Sequence, residues 1–158
     1  MKKILFCLLF IPFFVFCGSV KTGNWIVDIN EDPITDEKTV RIFTIDKTKL
    51  NNETATFLFT CNSVSLLSFD INDLPKINER GNSTKVVLRV DKKTPIEMDW
   101  TKEEIGYEFS DINEINNLIK KGKKLVVRAE YSKTKDFEFS LAGFAKAFKK
   151  LQKNCSTN

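Results

Sequence analysis

Residues 54–69, TATFLFTCNSVSLLSF, decide how this chain is read. Ala55, Phe57, Phe59 and Cys61 recur at every second position, the pattern of a strand that buries one face. Asn62 and Ser63 are turn formers, and Val64 to Phe69 resumes the apolar run. Two such runs joined by a two-residue polar break read as an antiparallel hairpin. Cys61 then points the same way as two phenylalanines, towards the core of whatever this hairpin builds.

The same period continues on both sides. Upstream, Trp25, Val27 and Ile29 share one face of a first strand, Asp32, Pro33 and Asp36 supply a turn, and Val40 to Ile45 forms the next strand. Polar residues from Asp46 to Glu53 separate it from the hairpin. Downstream, Lys76 to Ser83 with Gly81 reads as a loop, after which Val86, Leu88 and Val90 alternate with Lys85, Val87 and Arg89. Pro95 opens a strand through Ile96, Met98 and Trp100, and Ile105, Tyr107 and Phe109 carry the alternation on.

The period then changes. Asp111 and Glu114 fit a capping box, Ile112, Ile115, Leu118 and Ile119 form a helical stripe, and Gly122 stands where that helix would stop. Leu125 to Tyr131 and Phe137 to Leu141 return to strands, and Phe144, Ala147, Phe148 and Leu151 mark a short amphipathic helix ending just before Cys155. Eight or nine short strands with two short helices predict a mainly β fold. The expected architecture is an antiparallel β-sandwich or partly closed barrel, its helices plugging an end or covering a face.

The N-terminal residues say where such a domain works. Lys2 and Lys3 precede an unbroken apolar run from Ile4 to Cys17, and Gly18 and Ser19 follow, the order of an export signal. Fourteen apolar residues are too few to span a bilayer, which takes about 20, and Pro12 interrupts the run. Residues 1–19 are therefore expected to be an export signal, with 20–158 forming a single β-rich domain. The order Cys17, Gly18, Ser19 also suits a lipoprotein signal, in which Cys17 is acylated and tethers the chain to a membrane. Ordinary cleavage after Cys17 or Ser19 is the alternative. The expected location is outside the cytoplasm, in the periplasm or cell envelope.

Of the four cysteines, Cys7 lies within the signal and Cys17 at its border, leaving Cys61 and Cys155 in the folded part. In an oxidising compartment two remaining thiols most simply form one disulfide; otherwise Cys61 is an inert buried thiol and Cys155 a tail residue. Two cysteines and no histidine do not make a zinc site, which takes four ligands.

Charge and residue types narrow the function classes. Without Lys2 and Lys3 the formal charge falls from +4 to +2, too small to argue for nucleic acid. The runs Lys120 to Lys124 and Lys149 to Lys153 read as solvated helix ends. With no histidine in the chain, neither a Ser/His nor a Cys/His nucleophile pair can be built. Asp99, Glu103, Glu104 and Glu108 are close in sequence, as are Asp70 and Asp73, but read as turn and strand-edge charges. No catalytic residue, metal or cofactor is expected. Arg89 and Asp91, two apart on one strand, would face the same way, as a structural ion pair or a small surface site recognising an acidic group.

A family resemblance emerges from the order of these features. Trp25 precedes the acidic turn at Asp32, a strand ends in Cys61, and Arg89 with Asp91 mark the next long strand. Trp100, the element Phe139, Leu141, Gly143 and the closing Cys155 complete the series. In this order the chain resembles the VasI/TagO-like proteins associated with type VI secretion and, more distantly, the invasion-associated locus B proteins. The resemblance implies an exported β-rich domain with a strand-to-C-terminus disulfide and a non-enzymatic accessory role in the cell envelope. The expected partner is an envelope protein. The alternative function is that of a carrier holding a small apolar ligand in the barrel cavity.

Overall fold

The computed structural model describes residues 18–46, 54–68, 79–131 and 133–155. The export segment with Cys7 and Cys17, most of the polar stretch 46–53, and Phe69, Asp70 and Asp73 lie outside the described residues. Ten strands and two helices follow in chain order: β1 Val20–Thr22, β2 Trp25–Glu31, β3 Lys38–Ile45, β4 Ala55–Phe59, β5 Val64–Ser68, β6 Ser83–Val90, β7 Ile96–Glu103, β8 Gly106–Phe109, α1 Ile112–Ile119, β9 Lys124–Glu130, β10 Thr134–Ser140 and α2 Phe144–Cys155. The strands form one antiparallel sheet in the order β1-β2-β3-β4-β5-β8-β7-β6-β9-β10.

The sheet curls without closing its ladder. Successive points along the last strand meet successive strands of the N-terminal part. Glu138 donates its N–H to Asp46 beyond the end of β3 (2.8 Å), Ser140 accepts from the Trp25 indole at the start of β2 (3.0 Å), and Ala142 accepts from the Asn24 N–H (2.9 Å). β10 thus runs crosswise over the ends of β3 and β2. This contact requires glycine on both sides. A Cβ at Gly23 would lie 2.3 Å from the Ala142 oxygen and one at Gly143 2.0 Å from the Thr22 oxygen, and both residues have φ in the left-handed region.

The inner face of the curled sheet holds the core. Trp25, Phe57, Phe59, Trp100, Tyr107, Phe139 and Phe144 are all within 1% of complete burial. Their rings meet edge-on or tilted, with Trp25 and Phe144 centroids 4.9 Å apart and Phe57 and Phe139 5.4 Å apart, the arrangements aromatic quadrupoles favour. α2 lays its stripe of Phe144, Ala147, Phe148 and Leu151 into one end of this core. The Cys61–Cys155 disulfide then ties the last residue of α2 to the β4–β5 turn, with Cα atoms 5.5 Å apart. The alternative of two separate thiols is excluded.

Local chemistry explains the remaining boundaries. Asp111 caps α1 by accepting from the Asn113 and Glu114 N–H groups at 2.9 and 3.0 Å. Gly122 follows the helix because a Cβ there would meet Val90 and Leu141 side chains at 2.4 and 2.8 Å. In the turn after β2, Asp32 accepts from the Ile34 and Thr35 N–H groups. These two bonds hold its carboxyl below the usual carboxylate range.

The structure alters the expected fold in four places. β1 is an additional edge strand, too short and too polar to show alternation. Ser83 opens β6 instead of closing the loop before it. Ile105 lies in the β7–β8 turn and Ile96 at a strand start, and each is 42% exposed instead of facing inward. Cys155 lies within α2 instead of just beyond it.

Candidate functional site

The outer face of the N-terminal strands carries apolar residues that the inner core does not use. Ile26 on β2 lies opposite Phe43 on β3, and Phe43 lies opposite Leu58 on β4. Leu67 on β5 pairs with Thr56 on β4, two residues from Leu58. All four apolar side chains are half-buried, and Ile45 at the end of β3 is 47% exposed. Cross-strand neighbours on one face lie within about 5 Å, so these residues form a continuous strip on the outside of the sheet.

Two adjoining concavities follow this strip. One of about 490 Å³ is lined by Asp28, Asn30, Lys38, Thr39, Leu58 and Thr60 among others. The other, of about 200 Å³, is lined by Arg41, Phe43, Thr56, Leu58 and Leu67. Arg41 and Leu58 belong to both. Arg41 Nε donates to Asp28 Oδ2 at 2.8 Å, which fixes a charged pair over the junction while leaving the Arg41 side chain 59% exposed. The groove is therefore polar towards the start of β3 and apolar towards its end. Such a surface can accept an extended or amphipathic segment, offering apolar contact on one side and a charge pair on the other.

Alternation of the buried residues alone does not reveal this strip. Its signal lies in β3 and the hairpin: in the runs IFTI, TFLF and VSLL, Phe43, Leu58 and Leu67 are apolar residues out of phase with the buried set. A strand that buries only one face needs none there.

Arg89 and Asp91 are placed differently from expectation. β6 ends at Val90, and Asp91 turns into the left-handed region with φ 54°, a conformation Asp tolerates better than most residues. The two do not form an ion pair. Arg89 Nε donates to the Lys93 carbonyl (3.2 Å), whereas the Asp91 carboxylate accepts from the Lys123 and Lys124 N–H groups at 3.1 and 2.9 Å. Asp91 joins two turns, and Arg89 remains exposed on the surface.

The carboxylates considered for acid/base work are dispersed among cations. Asp99 binds Lys85 at 2.9 Å and Glu104 binds Arg80 at 3.2 Å. The hydrogen bond that Lys85 donates to Asp99, reinforced by the charges of Asp99 and Glu97, holds the Lys85 ammonium above its usual range. Among the described residues no group of three or more acidic, cysteine or histidine side chains could hold a metal ion. The interior of the curled sheet, where a carried ligand would sit, is occupied by the aromatic core.

No family model matches the chain, and no curated protein does. Among solved structures the fold is similar to that of invasion associated protein B from Bartonella henselae, with a TM-score of 0.58 and 13% identity over 85% of this chain and 95% of that one. At that identity the likeness is one of fold. It falls on the locus B side of the resemblance read from the sequence, and nothing matched supports the VasI/TagO-like side.

Proposed function

We propose that this chain is an exported accessory protein of the cell envelope that works by binding another envelope protein through the outer strip of β2 to β5. The observation that carries this reading is the ladder Ile26, Phe43, Leu58 with Leu67 beside it. It is apolar surface on strands whose other face already supplies the core, and surfaces of that kind mark interaction sites. The export signal pattern and the disulfide support the compartment. The fold likeness to an invasion-associated protein supports an accessory role. A link to type VI secretion rests on the sequence resemblance alone.

The binding reading is tested by placing a photo-crosslinking residue at Phe43 or Leu58 in cells, with Thr101, exposed on β7, as the comparison. Discrete adducts from the first two positions and none from Thr101 are expected; equal adducts from all three would contradict the assignment. Intact mass of the protein from the envelope fraction tests the compartment. A chain beginning between residues 17 and 20 is expected, with a diacylglycerol-sized increment if Cys17 is acylated, and retention of Met1 would contradict export.

A further inference from the structure

Cations are segregated in this chain. The segments 89–95, 120–124 and 144–155 hold eleven Lys and Arg residues and one carboxylate, Asp91. The remainder of the chain beyond Lys3 holds 12 cations against 20 carboxylates. The first two segments are adjacent turns, joined by the Asp91 bonds to Lys123 and Lys124. The third is α2, which starts beside them, since Leu141 donates its N–H to the Lys123 carbonyl and Phe144 to that of Leu141.

The helix dipole accounts for Lys153, in the last turn of α2, but not for the lysines before it. Its apolar stripe is buried, which fixes Lys146, Lys149 and Lys153 on the solvent side. Lys146 lies in the first turn, which has no acidic residue, where the helix dipole disfavours a positive charge. Lys146, Lys149, Lys150 and Lys153 also stand three or four residues apart, a spacing at which like charges repel. None of the four ammonium groups has an ion-pair partner among the described residues. At the neighbouring turns a concavity of about 470 Å³ is lined by Arg89, Asp91, Lys92 and Lys124. The Asp91 carboxylate there is already engaged by two backbone N–H groups and Lys124 pairs with Glu138 at 3.1 Å, so the concavity presents Arg89 and Lys92 outward.

We infer that the lysine face of α2, with the two basic turns beside it, docks this domain onto an anionic lipid surface. A lipid surface fits better than a soluble polyanion because of where the chain enters the domain. α2 packs against β1, β2 and β3, and the close approach of Gly143 to Thr22 places the start of α2 against the end of β1. Only Gly18 and Ser19 separate β1 from the apolar run Ile4 to Cys17. Retained or replaced by an acylated Cys17, this membrane-directed end of the chain joins the domain next to the cationic face of α2, where a basic patch adds electrostatic attraction to the anchor. This inference is independent of the protein-binding strip, and its test does not require export.

The test uses the oxidised chain from Gly18 to Asn158 and vesicles of phosphatidylcholine with or without one quarter phosphatidylglycerol, separated by flotation. Binding is expected only to the anionic vesicles and should weaken as salt rises, because screening shortens the reach of these charges to about 8 Å at physiological ionic strength. The variant K146E/K149E/K153E should bind at least ~10-fold more weakly. The variant K38E/K85E/K133E, with the same change in net charge, should keep most of the binding. Circular dichroism and an intact disulfide verify that both variants are folded. Equal losses in the two variants, equal binding to neutral vesicles, or binding of soluble polyphosphate without binding to anionic vesicles would each overturn the inference.

Discussion

The two faces of strands β3 to β5 make an instructive contrast. Phe57 and Leu58 are neighbours in sequence, yet Phe57 is wholly buried among Phe59, Trp100 and Phe139, whereas Leu58 is half-exposed on the floor of an outer groove. Both are large and apolar. One is enclosed by the aromatic residues of the curled sheet, and the other lies on a surface that the described elements leave open to solvent. Apolar character alone therefore does not reveal which residues stabilise the fold and which are available to a partner; the period in which they fall does.

The largest effect should come from the bond that holds α2 to the inner side. Replacing Cys61 and Cys155 by serine removes a cross-link spanning 94 residues, expected to cost about 4 kcal/mol in guanidinium unfolding. A loss below about 1 kcal/mol would mean that packing alone holds the helix. Comparable in size, Phe57→Ala empties a site in the aromatic core and should cost about 3 to 5 kcal/mol. Leu58→Ala, one residue along, should cost less than about 1 kcal/mol because its side chain is already partly in water. Equal losses for the two would abolish the distinction between the faces.

A smaller effect is expected at the α1 cap. Asp111→Ala removes the acceptor for the Asn113 and Glu114 N–H groups and should cost about 1 kcal/mol. The smallest concerns Asp136, whose carboxyl is held below its usual range chiefly by hydrogen bonds from the Arg128 guanidinium. A depressed carboxylate pKa contributes stability above the unfolded value, near 4, and loses it as pH falls through the folded value. This pair is exposed and screened by solvent, so its contribution is the smallest of those considered. Asp136→Asn should therefore differ slightly from the native chain at neutral pH and converge with it in acid.

The readable parts of the fold were those in which one residue carries one message. The β4–β5 hairpin, the stripe of α2 and the cap of α1 are local patterns, and the cysteine count left a single pair for export to oxidise. The crosswise seam was not readable, because Gly23 and Gly143 act on each other across 120 residues and each looks like an ordinary turn glycine. Arg89 and Asp91 suggested a strand pair through their spacing alone, whereas the left-handed turn at Asp91 depends on the N–H groups of Lys123 and Lys124, which belong to another turn. The outer strip was written in the sequence but masked, since Phe43, Leu58 and Leu67 directly adjoin the alternating buried set.

The division of labour between the faces is tested most directly by crosslinking in cells from a photoreactive residue at Leu58, with Phe43 either native or changed to serine, alongside the unfolding midpoint of each chain. If the outer strip binds a partner and the inner face holds the fold, Phe43→Ser should lower the discrete adduct by ~10-fold, the equivalent of about 1.4 kcal/mol of binding, while stability falls by less than about 1 kcal/mol. An adduct that persists unchanged, or a stability loss as large as that of Phe57→Ala, would contradict it.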